Sequence, residues 1–338
     1  NDTVIFSTYL PISDLNSPYF NDLISRNLFA IREKFSILEQ ILSFLTMFYK
    51  NPHFPKTIFL ILCLVLCNTV SKAQHAPFEV TLWPSTPPGN SGLTGPETID
   101  EHGFVHNVTL PSLLVYPAAQ EKNTGMAVLI APGGGYSFLA INHEGKEIAQ
   151  WLAGNGITGV VLKYRIPNGH HAIPLADAQQ GMRLIRENSA KWKIDPNSVG
   201  VMGSSAGGHL ASTLLTHFDA ATRPDFGVLF YPVITFADSL THRGSVRGLA
   251  GENLTSQLRN YYSNEKQVTA QTPPVLLLQS DDDRTVPPQN SIMFYEALKS
   301  WQIPAALYTF PSGGHGWGFR PSFRFHDQMK QLDRKSVV

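Results

Sequence analysis

Between Val199 and Ser212 the chain reads Val-Gly-Val-Met-Gly-Ser-Ser-Ala-Gly-Gly-His-Leu-Ala-Ser. Val199, Val201 and Met202 form an apolar, β-branched run that reads as a buried strand. The run breaks at Gly203-Ser204-Ser205-Ala206-Gly207 and resumes over Ala206–Phe218 with Leu210, Leu214 and Leu215 at helical spacing. Few folds accommodate a strand that turns into a helix within one residue. A Cβ at Gly203 or Gly207 would meet the neighbouring strand or helix, so the glycines are a steric requirement. The turn forces Ser205 into a strained conformation with its hydroxyl above the sheet, in front of the free N–H groups of a helix N-terminus. This is the strand–turn–helix context in which Gly-x-Ser-x-Gly presents a nucleophilic serine. The rival reading is an ordinary Gly/Ser turn, so partners for the serine must be sought elsewhere.

The rest of the chain from about Phe78 alternates strand-like and helix-like segments. Phe78–Trp83 and Phe104–Val108 read as early strands, and Ser112–Tyr116 is expected to pair with them. Ala127–Ala131, Thr158–Lys163, Gly227–Tyr231, Val275–Gln279 and Ala305–Phe310 read as further strands. Helical patterns fall at Glu144–Leu152, Pro174–Ser189, Asn290–Trp301 and Phe323–Leu332, while 232–273 reads as irregular and polar. Strands alternating with helices of this length imply βαβ units. The expected class is therefore α/β, a mainly parallel central sheet with helices on both faces. Ligands in such sheets bind beyond the carboxyl ends of the strands, where the Gly-rich turns fall.

A serine hydroxyl needs an adjacent base that is itself oriented by a third group, in the chain order Ser, acid, His for this architecture. His315 lies in Gly313-Gly314-His315-Gly316 after the last strand, and is the expected base. The acid is expected from Ser280-Asp-Asp-Asp-Arg-Thr-Val-Pro287, with Asp283 preferred and Asp282 in reserve. Pro132-Gly133-Gly134-Gly135-Tyr136 follows a buried strand, and its unobstructed amides suit a developing oxyanion. The N–H groups of Gly134, Gly135 and Ala206 are the expected donors. A phosphate loop is the alternative there, but neither G-x-x-x-x-G-K-[ST] nor G-x-G-x-x-G is present. Tyr136, Glu144 and Trp317 are candidate substrate contacts, each with a plain packing or helix-end alternative, and His143 is a further candidate for the pocket wall. His209, four residues after Ser205, reads as a packed core histidine. The pair His170-His171 has no acidic partner spaced to complete a metal site. The chemistry expected of these residues needs neither metal nor cofactor.

The N-terminal part divides differently. Residues 1–46 carry apolar positions at loosely helical spacing and are read as a non-native or disordered extension. Met47, Lys50 and Lys56 then precede the apolar run Thr57–Cys67 and Ser71-Lys72-Ala73, the pattern of a signal peptide over 47–73 cleaved after Ala73. The run is short for a bilayer span, which weighs against an uncleaved anchor. The two cysteines, Cys63 and Cys67, lie inside it, so a mature chain of 74–338 would hold no thiol chemistry. The expected location is secreted or periplasmic, without stable membrane association. Lys plus Arg and Asp plus Glu number 26 each; a net charge of zero leaves no basic face for nucleic acid.

Taken together, Leu82-Trp83-Pro84, Ala131-Pro-Gly-Gly-Gly-Tyr136, Asn142-His-Glu-Gly145, Leu162-Lys-Tyr-Arg165, Asp195-Pro-Asn197, Gly203-Ser-Ser-Ala-Gly-Gly-His-Leu210, Asp282-Asp-x-x-Val-Pro287 and Gly313-Gly-His-Gly316 resemble the secreted bacterial carbohydrate esterases of the α/β-hydrolase fold, the acetylxylan and feruloyl esterase-like group. The resemblance runs from about Phe78 to Gln331. It implies the triad Ser205, Asp283 and His315, favouring Asp283 through its distance from Val286-Pro287, and an acylated carbohydrate as substrate. Pro132-Gly-Gly-Gly departs from the His-Gly-Gly-Gly of hormone-sensitive-lipase-like esterases, and no propeller sequence accompanies the pattern as it does in prolyl oligopeptidases. The expected activity is removal of short acyl groups, acetyl above all, from polysaccharides or oligosaccharides such as xylan. Feruloyl ester hydrolysis and small-peptide hydrolysis on the same machinery are the alternatives.

Overall fold

Apolar runs with no polar alternation are stable as strands only where both faces are covered, the situation of inner strands in a parallel sheet. A computed structural model of the chain meets this condition. It describes residues 76–337 except Asp238 and Asn253, with side chains to Gln331. The expected extension and signal peptide, 1–46 and 47–73, lie outside the described residues.

In chain order the strands are β1 (Phe78–Thr81), β2 (Thr98–Ile99), β3 (Val105–His106), β4 (Ser112–Tyr116), β5 (Ala127–Ala131), β6 (Phe138–Leu139), β7 (Thr158–Lys163), β8 (Val199–Ser204), β9 (Gly227–Phe230), β10 (Val275–Ser280) and β11 (Ala305–Phe310). Eight of them form one sheet in the order β1-β4-β7-β5-β8-β9-β10-β11. β1, β4 and β7 pair antiparallel; from β7 onward every pair is parallel. β5, β8, β9 and β10 are buried at every position, as the unbroken apolar runs require.

The helices are α1 (Glu147–Gly154), entered through a π-type turn at Asn142–Lys146, α2 (Ala172–Glu187), α3 (Ser189–Trp192), α4 (Ser205–Thr216), α5 (Arg243–Ala250), α6 (Ser256–Tyr261), α7 (Gln289–Ser300) and α8 (His326–Val337). α4 is buried from Ser205 to Leu215, so it lies in the core, and a Leu214→Ala change there would cost about 2–5 kcal/mol. Arg165, at the end of β7, is clamped to Asp177 of α2 through Nε and Nη2, and its Nη1 donates to the Pro88 and Gly89 carbonyls at 3.0 and 2.9 Å. Trp83 Nε1 donates to the same carboxylate at 2.8 Å. Trp83 and Arg165, from two of the family-like motifs, thus form a buried clasp that ties the N-terminal loop to the sheet, while Tyr164 of the second motif donates to the Pro132 carbonyl at 2.8 Å.

The structure departs from the expected elements in four places. Residues 105–106 do not join Ser112–Tyr116 but form a separate small antiparallel sheet, β2-β3-β6. The pattern expected as one helix from Glu144 begins as the π-type turn, because Glu144 is drawn inward by polar partners. Residues 232–273 are only partly irregular: α5 and α6 break the segment, starting at side-chain caps from His242 and Thr255, and Val233, Ile234 and Phe236 are buried although their backbone is irregular. Their polarity misleads because buried groups such as Asn264 are paired inside, to Ser212 Oγ and Thr213 Oγ1 at 2.7 and 3.0 Å. The last helix starts at His326, not Phe323, whose ring is stacked on Trp317 instead.

Candidate active site

β8 ends at Ser204 and α4 begins at Ser205, with no residue between them. Ser205 has φ of 54°, a left-handed conformation that a side-chain-bearing residue keeps only where the surroundings impose it. The surroundings do impose it. A Cβ on Gly203 would lie 2.1 Å from the Gly207 carbonyl oxygen, and one on Gly207 2.0 Å from that of Ala131. The Ser204 side chain does not cap α4, so the first N–H groups of the helix, Ala206 included, have no intrahelical acceptor.

The structure brings Ser205, His315 and Asp283 together from three loops at the carboxyl ends of β8, β11 and β10. Ser205 Oγ lies 2.8 Å from His315 Nε2, and His315 Nδ1 lies 2.7 Å from Asp283 Oδ2. The carboxylate can only accept, so Nδ1 carries the proton and Nε2 is left to accept from the serine hydroxyl. Asp283 Oδ1 takes the N–H groups of Thr285 and Val286, each at 2.9 Å. Asp282, the reserve candidate, instead accepts the Gly314 N–H at 2.8 Å and so fixes the loop that carries the histidine. Such a chain can move a proton off the hydroxyl while the buried carboxylate stabilises the resulting imidazolium.

Facing Ser205 is the loop Gly133–Gly135. Gly134 and Gly135 have φ of 133° and 61°, and both line a cleft of about 530 Å³ together with Phe138, Glu144, Ser205, His242, His315 and Arg320. Glu144 is the keystone of this wall. Its Oε2 accepts the Gly133 N–H at 2.8 Å and its Oε1 the Tyr231 hydroxyl proton at 2.7 Å. Tyr231 oxygen in turn accepts the Gly318 N–H at 2.7 Å, and its ring stands edge-on to His315 with centroids 4.8 Å apart. Burial raises the Glu144 pKa, opposed by the hydrogen bonds from Tyr231 and Gly133. One buried carboxylate thereby links the glycine loop to the histidine loop.

Two expected contacts are corrected. Tyr136 does not reach the cleft: its φ of 60° turns the ring inward, where its hydroxyl lies 2.9 Å from His209 Nδ1. Trp317 likewise packs, with Nε1 donating to Ser280 Oγ at 2.9 Å and its ring stacked on Phe323 at 4.2 Å. His209 is fully buried against Phe236, as expected of a core residue. His143 does line the cleft. Burial and then the Arg320 charge push its pKa down to about 4, so it is neutral and accepts from Arg320 Nη2 at 3.3 Å. His242, Arg320 and Phe104 line the cleft without any motif to announce them. Among the described residues no group of three or more His, Cys, Asp or Glu is placed to hold a metal, and no helix is long and apolar enough to cross a membrane.

A model of the prolyl oligopeptidase family matches residues 148–333, a stretch that contains Ser205, Asp283 and His315. The chain belongs to the prolyl oligopeptidase family. Its architecture is the α/β-hydrolase fold. The match lies wholly in the α/β part, so the departure expected from the prolyl oligopeptidases does not extend to these residues. The chain is 40% identical over 215 residues to an acetylxylan esterase of Xylanibacter ruminicola, covering 62% of this chain and 45% of that one. It is 39% identical over 232 residues to endo-1,4-beta-xylanase B of Butyrivibrio fibrisolvens, covering 64% and 35%. The chain thus spans less than half the length of these two relatives. The crystal structure of an acetyl ester-xyloside bifunctional hydrolase from Caldicellulosiruptor lactoaceticus is similar with a TM-score of 0.67 at 34% identity, covering 77% of this chain and 96% of that one.

Proposed function

We propose that this protein is a serine carboxylesterase that removes short acyl groups, acetyl above all, from xylan or its oligosaccharides. The observation that carries the reading is the unbroken hydrogen-bonded chain from Ser205 through His315 to Asp283, opening on the glycine-loop cleft. The likeness to an acetylxylan esterase and to an acetyl ester-xyloside hydrolase supports the choice of substrate.

Ser205 Oγ attacks the ester carbonyl as His315 Nε2 takes its proton. The oxyanion is held by the N–H groups of Gly134, Gly135 and Ala206, each contributing on the order of 3 kcal/mol to the transition state. His315 returns the proton to the departing sugar hydroxyl, and a water activated by the same imidazole releases the acid from the acyl-enzyme. No metal or cofactor enters these steps. The signal-like segment 47–73 supports a secreted or periplasmic protein released from the membrane; N-terminal sequencing of exported material should begin at Gln74.

The test is acetate release from acetylated xylan by the protein and by Ser205→Ala. Essentially all turnover should disappear in the variant, with the melting temperature little changed, because the site stands at the end of the sheet. Equal rates would end the assignment. The family takes its name from oligopeptidases, which favours amide hydrolysis as the second reading. A panel of acetylated sugars against small peptides decides between them, and activity confined to peptides reverses the order.

A further inference from the structure

α5 begins at the cleft with an unusual cap. N-caps are generally short oxygen-bearing side chains, yet here the His242 side chain accepts the Ser245 N–H, with Nδ1 3.2 Å from that nitrogen. Ser245 Oγ lies 2.8 Å from the same Nδ1. A ring nitrogen that accepts a backbone N–H carries no proton, so the proton of the neutral ring sits on Nε2. Burial and then the nearby His315 lower the pKa of His242, opposed by Asp283, which keeps the ring in this neutral form. Among the described residues Nε2 has no hydrogen-bond partner, although the ring lines the same cleft as Ser205 and His315.

The space around the ring is kept clear by Gly244, and Gly135 lies just within contact distance of it. A Cβ on Gly244 would stand 2.9 Å from His242 Cε1 and 3.3 Å from Nε2, and one on Gly135 would stand 3.8 Å from Cε1. The ring is thus a donor of fixed tautomer, half-buried, with room in front of it and no acceptor of its own. A half-desolvated donor of this kind gains most when a ligand oxygen arrives to satisfy it. Its position also says which part of a ligand it meets. The departing alcohol has to lie within reach of His315, which returns the proton, and His242 lines the same cleft as His315, beside Gly135 of the glycine loop.

We propose that His242 is a substrate-contacting residue whose Nε2–H donates to a hydroxyl or ring oxygen of the sugar unit bearing the scissile ester. This rests on the esterase reading above, and it assigns to α5 a part in choosing polyhydroxylated alcohols over simple ones.

Two substitutions separate the donor from the cap. His242→Asn keeps a short side-chain oxygen for the Ser245 N–H and loses the distal donor; His242→Gln extends an amide N–H toward the place of Nε2. Each is compared with the wild type on an acetylated xylo-oligosaccharide and on 4-nitrophenyl acetate, whose alcohol has no further hydroxyl. Ratios between two substrates within one preparation cancel any loss of folded enzyme. For His242→Asn, kcat/KM on the oligosaccharide should fall about tenfold, the order expected of one neutral hydrogen bond, with less than about a twofold change on the aryl ester and partial recovery in His242→Gln. Equal losses on both substrates, or no loss on the sugar, overturn the proposal. A wild-type protein that hydrolyses the aryl ester but leaves acetylated oligosaccharides intact defeats the carbohydrate reading itself, whatever residue 242 does.

Discussion

The carboxylate of Asp283 is gripped by two backbone N–H groups, the Gln279 amide and the His315 ring. Its charge decides which nitrogen of His315 carries the proton. Replacing it with Asn puts an amide N–H opposite Nδ1, so Nε2 becomes the protonated nitrogen and can no longer accept from Ser205. For Asp283→Asn, kcat should fall by about 10³–10⁴ with KM little altered. Asp282→Ala removes only the acceptor for the Gly314 N–H and should lower kcat a few-fold; steady-state kinetics on one acetyl ester would separate the two neighbours, and a similar loss in both would contradict the assignment. At this scale the sequence carried the glycines, the serine, the histidine and the acidic triplet, because steric need and chain order constrain them. It did not reveal where Tyr136 and Trp317 point. Side-chain direction follows a local φ and the nearest partner for a polar tip, His209 in one case and Ser280 in the other. Nor did it reveal His242, since a histidine cap has no spacing signature.

Among the elements, the strand–turn–helix of β8 and α4 leaves the least freedom. Ala at position 203 or 207 would drive a Cβ to about 2 Å from backbone oxygen, at Gly207 and Ala131 respectively, and neither backbone can yield without moving a central strand or the core helix. Gly203→Ala and Gly207→Ala should each destabilise by at least 3 kcal/mol or abolish soluble expression, as read by chemical denaturation beside Gly154→Ala, whose added Cβ meets nothing within 4 Å. A Gly203→Ala protein as stable as the wild type would mean that the turn is built differently. The inner strands and longer helices were legible for the same reason that they are stable: burial on both faces or along one stripe leaves an apolar periodicity. The two-residue strands of the small sheet bury too little to leave one, and the helices in 243–261 are so short that the apolar stripe of α5, Val246, Leu249 and Ala250, spans barely one turn.

For the whole molecule, the core encloses titratable rings that stay neutral, and this ties stability to pH. His209 is fully buried, its Nδ1 accepting the Tyr136 hydroxyl proton and its Nε2–H donating to the Tyr262 carbonyl at 2.9 Å. Burial brings its pKa down to about 4, and His143 is brought to about the same value. In the unfolded chain an imidazole takes its proton near pH 6.5. Between the two values the unfolded state binds more protons than the folded one, so stability rises with pH through this window. The contribution is whole above about pH 6.5, declines as the pH falls toward 4, and for His209 amounts to about 3 kcal/mol. Glu144 acts in the opposite sense: its raised pKa favours the folded state below the ordinary glutamate range, and that gain is lost as the pH rises through the folded value. Burial also lowers His217 and His242 and raises Glu265, so the lowered imidazoles outnumber the raised carboxyls and should leave a net fall of the urea midpoint from pH 7 to pH 4.5. His209→Gln, which retains a donor toward Tyr262 and cannot take up a proton, should be less stable at pH 7 yet lose less on acidification, with the slope reduced by about one proton. A variant with the wild-type slope would show that the acid sensitivity arises elsewhere than in this buried ring.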